Sequence, residues 1–130
     1  SRCGTLRARH DPRRRAMEPA HERRRSNDPA HELLTGELRK ELPRLYAQDL
    51  ERDPTVYAKF FTPDGQWTWY VTEGQEQEGD FLFFGYVAGF AREWGYFALS
   101  ELEAARGPMG LRIERDLHFT ARRFSELTEL

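Results

Sequence analysis

Between Thr55 and Leu99 the chain places 14 of its 17 aromatic residues, many of them two positions apart. Side chains of an extended backbone alternate between its two faces, so this spacing demands a β-sheet with an aromatic core. Val56, Ala58 and Phe60 fall on one side of a first strand and Tyr57, Lys59 and Phe61 on the other. Thr62-Pro63-Asp64-Gly65 follows, with proline and glycine where a type I turn prefers them. Gln66 to Thr72 alternates again, setting Trp67, Trp69 and Val71 opposite Gln66, Thr68, Tyr70 and Thr72, as a returning strand does.

Gly74 to Gly79 reads as a polar break, and Phe81 to Phe90 as a third strand interrupted by Gly85 and Gly89. Ala91-Arg92-Glu93 forms a link to a fourth strand, Trp94 to Leu99. The third strand is apolar on both faces, so something covers its second face, either the flanking helices or a partner. Thr35 to Leu42 predicts a short helix capped by Thr35 and ended by Pro43, with Leu34, Leu38 and Leu42 on one stripe, and Arg44 to Glu51 adds a further turn. Ser100-Glu101-Leu102-Glu103 reads as a capping box opening a helix that stops at Gly107-Pro108. Leu111 to Phe119 suggests a fifth, edge-like strand, and Ser125 to Leu130 a weak helix or frayed end. The expected fold is α+β: a four- to five-stranded antiparallel β-meander flanked by short helices, in a single domain over residues 31–130.

Charge divides the chain. Residues 1–30 carry nine arginines against four acidic residues, +5, whereas 31–130 carry 11 basic and 18 acidic residues, −7. The leader, residues 1–30, is poor in apolar side chains and broken by Pro12, Pro19 and Pro29, so disorder is expected there. Its clusters Arg13-Arg14-Arg15 and Arg23-Arg24-Arg25 fit a solvated tail, a nucleic acid contact, or sequence ahead of a start at Met17. The acidity of the domain disfavours phosphate-backbone binding by that part. One cysteine, Cys3, cannot form an internal disulfide, and the chain shows neither a signal-peptide pattern nor an apolar run long enough for a membrane, so the expectation is a cytoplasmic protein.

Chemistry-bearing patterns are sparse. Glu73, Glu76, Glu78 and Asp80 cluster beside the second-to-third strand link, without the spacing of a Ca²⁺ loop. Together with Glu101 and Glu103 they form a candidate partner-binding surface, through which the domain could partly mimic DNA on a basic protein. Asp116 and His118 are two apart, hence on one face of an extended chain, where a carboxylate could orient an imidazole for a small hydrolase or nuclease. Lys59, Trp67, Trp69, Tyr70 and Tyr86 suggest a platform for single-stranded bases. His10, His21 and His31 lack a metal-ligand spacing, and no phosphate-binding glycine loop is present, so neither metal nor cofactor is expected.

Several blocks resemble a known family. Leu33-Leu34-Thr35 through Leu42-Pro43, Val56 through Asp64, Trp67 through Gly74, Asp80 through Val87, Gly95-Tyr96-Phe97, Ser100 through Glu103, Arg106-Gly107-Pro108 and Ile113 through Asp116 are similar to the bacterial family catalogued as domain of unknown function 2958. The resemblance covers about residues 33–120. It implies a small protein of plasmids, integrative elements or phages, often encoded among antirestriction and DNA-handling genes, and it brings no catalytic residues. The leading expectation is a non-catalytic accessory protein that binds a protein of host defence or DNA-processing machinery.

Overall fold

The computed structural model describes residues 29–128, so the arginine clusters of the leader lie outside the described residues. Five antiparallel strands form the main sheet: β2 (Ala58–Phe61), β3 (Thr68–Gln77), β4 (Asp80–Ala88), β5 (Arg92–Ala98) and β6 (Glu114–Arg115), in the order β5-β4-β3-β2-β6. A separate ribbon pairs β1 (Thr55–Val56) with β7 (Arg122–Arg123). Helices α1 (Gly36–Glu41) and α2 (Leu99–Ala104) flank the sheet. The α+β meander is therefore the architecture the aromatic spacing predicts.

Local departures each have a cause. The first strand breaks at Tyr57, so Ala58 and Phe60 join the main core whereas Val56 packs with Tyr70 and Leu127 on the other side. The polar break expected at Gly74 to Gly79 shrinks to a two-residue turn, because β3 stays paired with β4 as far as Gln77 opposite Asp80. Glu78 and Gly79 have φ of 54° and 82°, and left-handed conformations at both central positions match the twist of a tight hairpin. The fourth strand begins earlier than expected, at Arg92. The fifth shortens to two residues, pairing Arg115 with Phe60 and Glu114 with Phe61. Ser100 is not the cap of α2; Ala98 occupies that position and its N–H donates to the Glu101 carboxylate at 2.8 Å. Thr35 does cap α1, its Oγ1 accepting the Leu38 N–H at 3.0 Å. Leader residues Pro29 and Ala30 belong to a short 3-10 turn, where Arg115 donates to the Pro29 and Glu32 carbonyls.

One irregularity governs the sheet. Val71 pairs with Gly85 but Glu73 pairs with Phe84, which leaves Thr72 as an extra residue in β3. Directly opposed residues share a face, so the bulge inverts everything after it. Trp69 and Val71 point into the main core with Phe60, Phe83 and Phe97, and by simple alternation Glu73 would follow them. Instead Gly74 takes that side, opposite Phe83, and Glu73 turns to the second face. Thr72 remains buried, its hydroxyl donating to the Phe84 carbonyl at 3.0 Å.

The main core joins Leu38 and Leu42 from α1 and Leu102 from α2 to the aromatic side chains of the sheet. The second face is covered differently from the expectation of helices: Phe119, Phe124 and Leu127 from the C-terminal segment pack around Tyr70 and Tyr86. Asp53 fastens that segment, since its two carboxylate oxygens accept the Ser125 N–H at 2.8 Å and hydroxyl at 2.7 Å.

Candidate binding site

The turn between β2 and β3 is the hub of one end of the molecule. Thr62 Oγ1 accepts the Trp67 N–H at 3.0 Å and closes the turn, which leaves the Asp64 side chain beside the loop after α2. Asp64 Oδ2 accepts the N–H groups of Met109 and Leu111 at 2.8 and 3.2 Å. Backbone bonds from Gly107 to Leu111 and from Gly110 to Gly107 close the loop on itself. Its apolar side chains thus stand outward on an ordered backbone: Met109 is 80% and Leu111 46% exposed. On the other side of the turn Trp67 stacks on Trp69 and meets the ring of Phe90, which is 97% exposed, edge-on at 5.4 Å.

Beneath this end lies an open cleft of about 490 Å³, between the β2–β3 turn and the residues around β6. Phe61, Gln66, Trp67, Thr68, Lys59, Arg115, Asp116, Leu117, His118 and Ala30 contribute to its walls. The size suits a small ligand or a few side chains of a partner. Lys59 Nζ stands 3.8 Å from Asp116 Oδ2 and 5.9 Å from the centre of the Tyr70 ring.

Asp116 and His118 both line this cleft, but from a turn rather than from the extended strand on which their spacing would place them on one face, and their contact is not the one a catalytic pair uses. Asp116 Oδ1 accepts the backbone N–H of His118 at 3.0 Å, holding a turn in which the Phe119 N–H meets the Asp116 carbonyl at 3.3 Å. The carboxylate orients the chain at His118. Of the aromatic platform, Trp67 and Lys59 line the cleft, whereas Trp69 and Tyr70 are 9% and 2% exposed and belong to the interior. Tyr86 packs against Trp94 and Phe124 on the second face.

The acidic candidates divide between surface and scaffold. Glu73 is 3% exposed, and its two oxygens accept the N–H groups of Tyr46 and Gln48 at 2.8 and 2.7 Å. Asp80 accepts from the Phe81 N–H, the Ser100 N–H and the Ser100 hydroxyl, joining the start of β4 to α2. Glu101 caps its own helix. Glu76 pairs with Arg39 at 2.8 Å on the exposed surface, Glu78 sits in the β3–β4 turn and Glu103 on the exposed side of α2. Among the described residues, no three histidine, cysteine or acidic side chains converge as a metal site requires.

The Glu73 clamp has a neighbour that sequence reasoning missed. Tyr46 holds φ of 73°, a costly conformation for a bulky residue, and Glu73 secures its amide there. Its ring lies 6.4 Å from that of Tyr96. A hydrogen bond with Tyr46, then burial, then the charges of Tyr46, Glu73 and Asp49 push the Tyr96 hydroxyl up to about 12. Asp64 and Asp53 were also missed as clamps, although each adjoins a proline, where a carboxylate commonly serves a turn.

These features define a small α+β domain whose loops are pinned by carboxylates around an aromatic antiparallel sheet. A family model described as a protein of unknown function (DUF2958) matches residues 33–129, and the chain belongs to that family. Comparison with curated proteins and with solved structures gives no match. No helix among the described residues is long and apolar enough to cross a membrane.

Proposed function

We propose that the protein is a non-catalytic accessory protein that acts by binding a macromolecule, with a protein of host defence or DNA-processing machinery as its target. The observation that carries this reading is the Asp64-pinned loop, which holds Met109 and Leu111 toward solvent on a fixed backbone at the same end of the sheet as Trp67 and the exposed ring of Phe90. An ordered apolar surface is already shaped for a partner, so less conformational entropy is lost on association. The plasmid and phage setting implied by the family resemblance supports the choice of target class. Exposed Glu76 and Glu78, at the opposite end of β3, offer a secondary acidic contact for a basic partner.

A photocrosslinking residue placed at Met109 or Phe90 in the full chain, expressed in a host carrying the element, tests the assignment. One defined protein captured from both positions and not from Glu78, and bound at least about tenfold more weakly by Met109→Asp after purification, is the expected result. Equal labelling from all three positions overturns it. So does a hydrolytic activity that disappears in both Asp116→Asn and His118→Ala, which would establish the catalytic alternative.

Single-stranded nucleic acid binding is a second reading, favoured by Trp67, Lys59 and Arg115 around the cleft. Fluorescence anisotropy with labelled single-stranded DNA at two salt concentrations distinguishes it: binding that weakens with salt and is lost in Trp67→Ala supports this reading, and binding unchanged by that substitution removes the cleft from it.

A further inference from the structure

The two edges of the main sheet differ. On one side the sheet ends at β6, only two residues long; on the other it ends at β5, seven residues paired to β4 in unbroken register. Long, regular edge strands invite further pairing, and proteins commonly blunt them with proline, lysine or a bulge. β5 reads Arg92-Glu93-Trp94-Gly95-Tyr96-Phe97-Ala98, with neither proline nor lysine, and its register to β4 has no bulge. Lys59, Tyr70, Tyr86 and Trp94 stand opposite one another across β2, β3, β4 and β5, so an aromatic row reaches the edge and stops at Trp94, which is 40% exposed.

The geometry points to a second copy of this chain as the occupant of that edge, paired antiparallel through β5 about a two-fold axis at Trp94. The argument is complementarity of charge and face. With the two-fold at Trp94, the two Trp94 side chains meet and continue the aromatic row. Arg92 of each copy falls opposite Tyr96 of the other, on the face that both share with Trp94, giving two cation–aromatic pairs. Glu93 falls opposite Gly95, which offers it no side chain. Moving the axis one residue back sets Glu93 against Glu93, and moving it one residue forward sets Glu93 against Phe97, which is 5% exposed and part of the main core. One register satisfies both faces.

Sedimentation equilibrium of the full chain tests this at micromolar concentrations, with twice 15.3 kDa expected. Arg92→Glu changes an exposed side chain away from the core and weakens the dimer by about tenfold, since both cation–aromatic pairs are lost together. Register is read by cysteine crosslinking in a Cys3→Ser background, which removes the sole native thiol. Trp94→Cys forms a covalent dimer under mild oxidation, because directly opposed residues lie within disulfide reach. Arg92→Cys and Tyr96→Cys crosslink when mixed and much less when either is oxidised alone. A monomeric chain at 100 µM, an unchanged mass in Arg92→Glu, or equal crosslinking by all three single variants overturns the inference.

Discussion

Glu73 shows how a carboxylate can be interior and still be satisfied. Burial disfavours its charge, and two amide donors from the Tyr46 loop offset that cost while fixing a backbone that Tyr46 would not adopt unaided. Glu73→Gln keeps the shape but replaces one acceptor with a donor facing an amide, so it destabilises by about 1.5–3 kcal/mol in urea unfolding. Limited proteolysis then cuts between residues 44 and 52 before any other described segment. Tyr96 supplies an alkaline signature at the same place. Its hydroxyl pKa is raised in the folded state to about 12, from 10.0, so the folded chain keeps a proton that the unfolded chain releases. Stability from this group is complete below pH 10 and lost as pH rises toward 12. Ultraviolet titration should show a late tyrosine component that is lost in Tyr96→Phe and shifted toward the ordinary value in Tyr46→Phe.

Elements built on strict alternation were legible in the sequence, and those that depend on a break in it were not. The hairpin at Thr62 to Trp67 and the Thr35 cap are local matters of turn chemistry and follow directly from residue type. The bulge at Thr72 is different, since nothing in a polar threonine says that it will be unpaired. A signal existed opposite it, because Gly85 lies where a side chain would collide with the Tyr70 carbonyl, and glycine within an apolar strand marks such an approach. Extension of β3 past Gly74 was hidden by its composition, for its polar residues are pinned by partners distant in sequence. Loop clamps such as Asp64 and Asp53 act across 45 and 72 residues, beyond any pattern read in a window. The β3–β4 turn yields a prediction: Glu78→Asn relieves a left-handed conformation and adds about 0.5–1 kcal/mol of stability, whereas Gly79→Ala removes about 1 kcal/mol or more. Thermal unfolding of the two variants in opposite directions checks both. The Asp53 clamp yields another. Hydrogen bonds from Ser125, side chain first and then backbone, together with the Arg123 charge, outweigh desolvation and hold its carboxyl below the ordinary 3.8. Its contribution is present above pH 3.8 and lost as pH falls through the lower folded value, so the protection of the Ser125 amide against hydrogen exchange, taken relative to its intrinsic rate, falls in acid and is already low in Asp53→Asn.

At the scale of the molecule the sheet is covered by two unlike layers. Helices and their leucines close one side, and a non-helical C-terminal segment closes part of the other. Ending the chain at His118 removes Phe119, Phe124 and Leu127 from around Tyr70, and such a variant is expected to bind a hydrophobic dye and to unfold with less cooperativity. The exposed apolar loop lies at the β2–β3 turn end and the exposed Glu76 and Glu78 at the β3–β4 turn end, so the two candidate contacts are separated along β3. The supernumerary Thr72 gives this hairpin an uneven tolerance for changes in length. Deleting Thr72 would restore plain alternation while leaving Glu73 opposite Phe84 on the second face and Gly74 opposite Phe83 on the core face. Adding a residue at Glu78-Gly79 would only loosen a loop. Functional versions of this sheet that are one residue shorter are therefore expected to carry the gap at Thr72, and longer ones the insertion at the far tip of the hairpin.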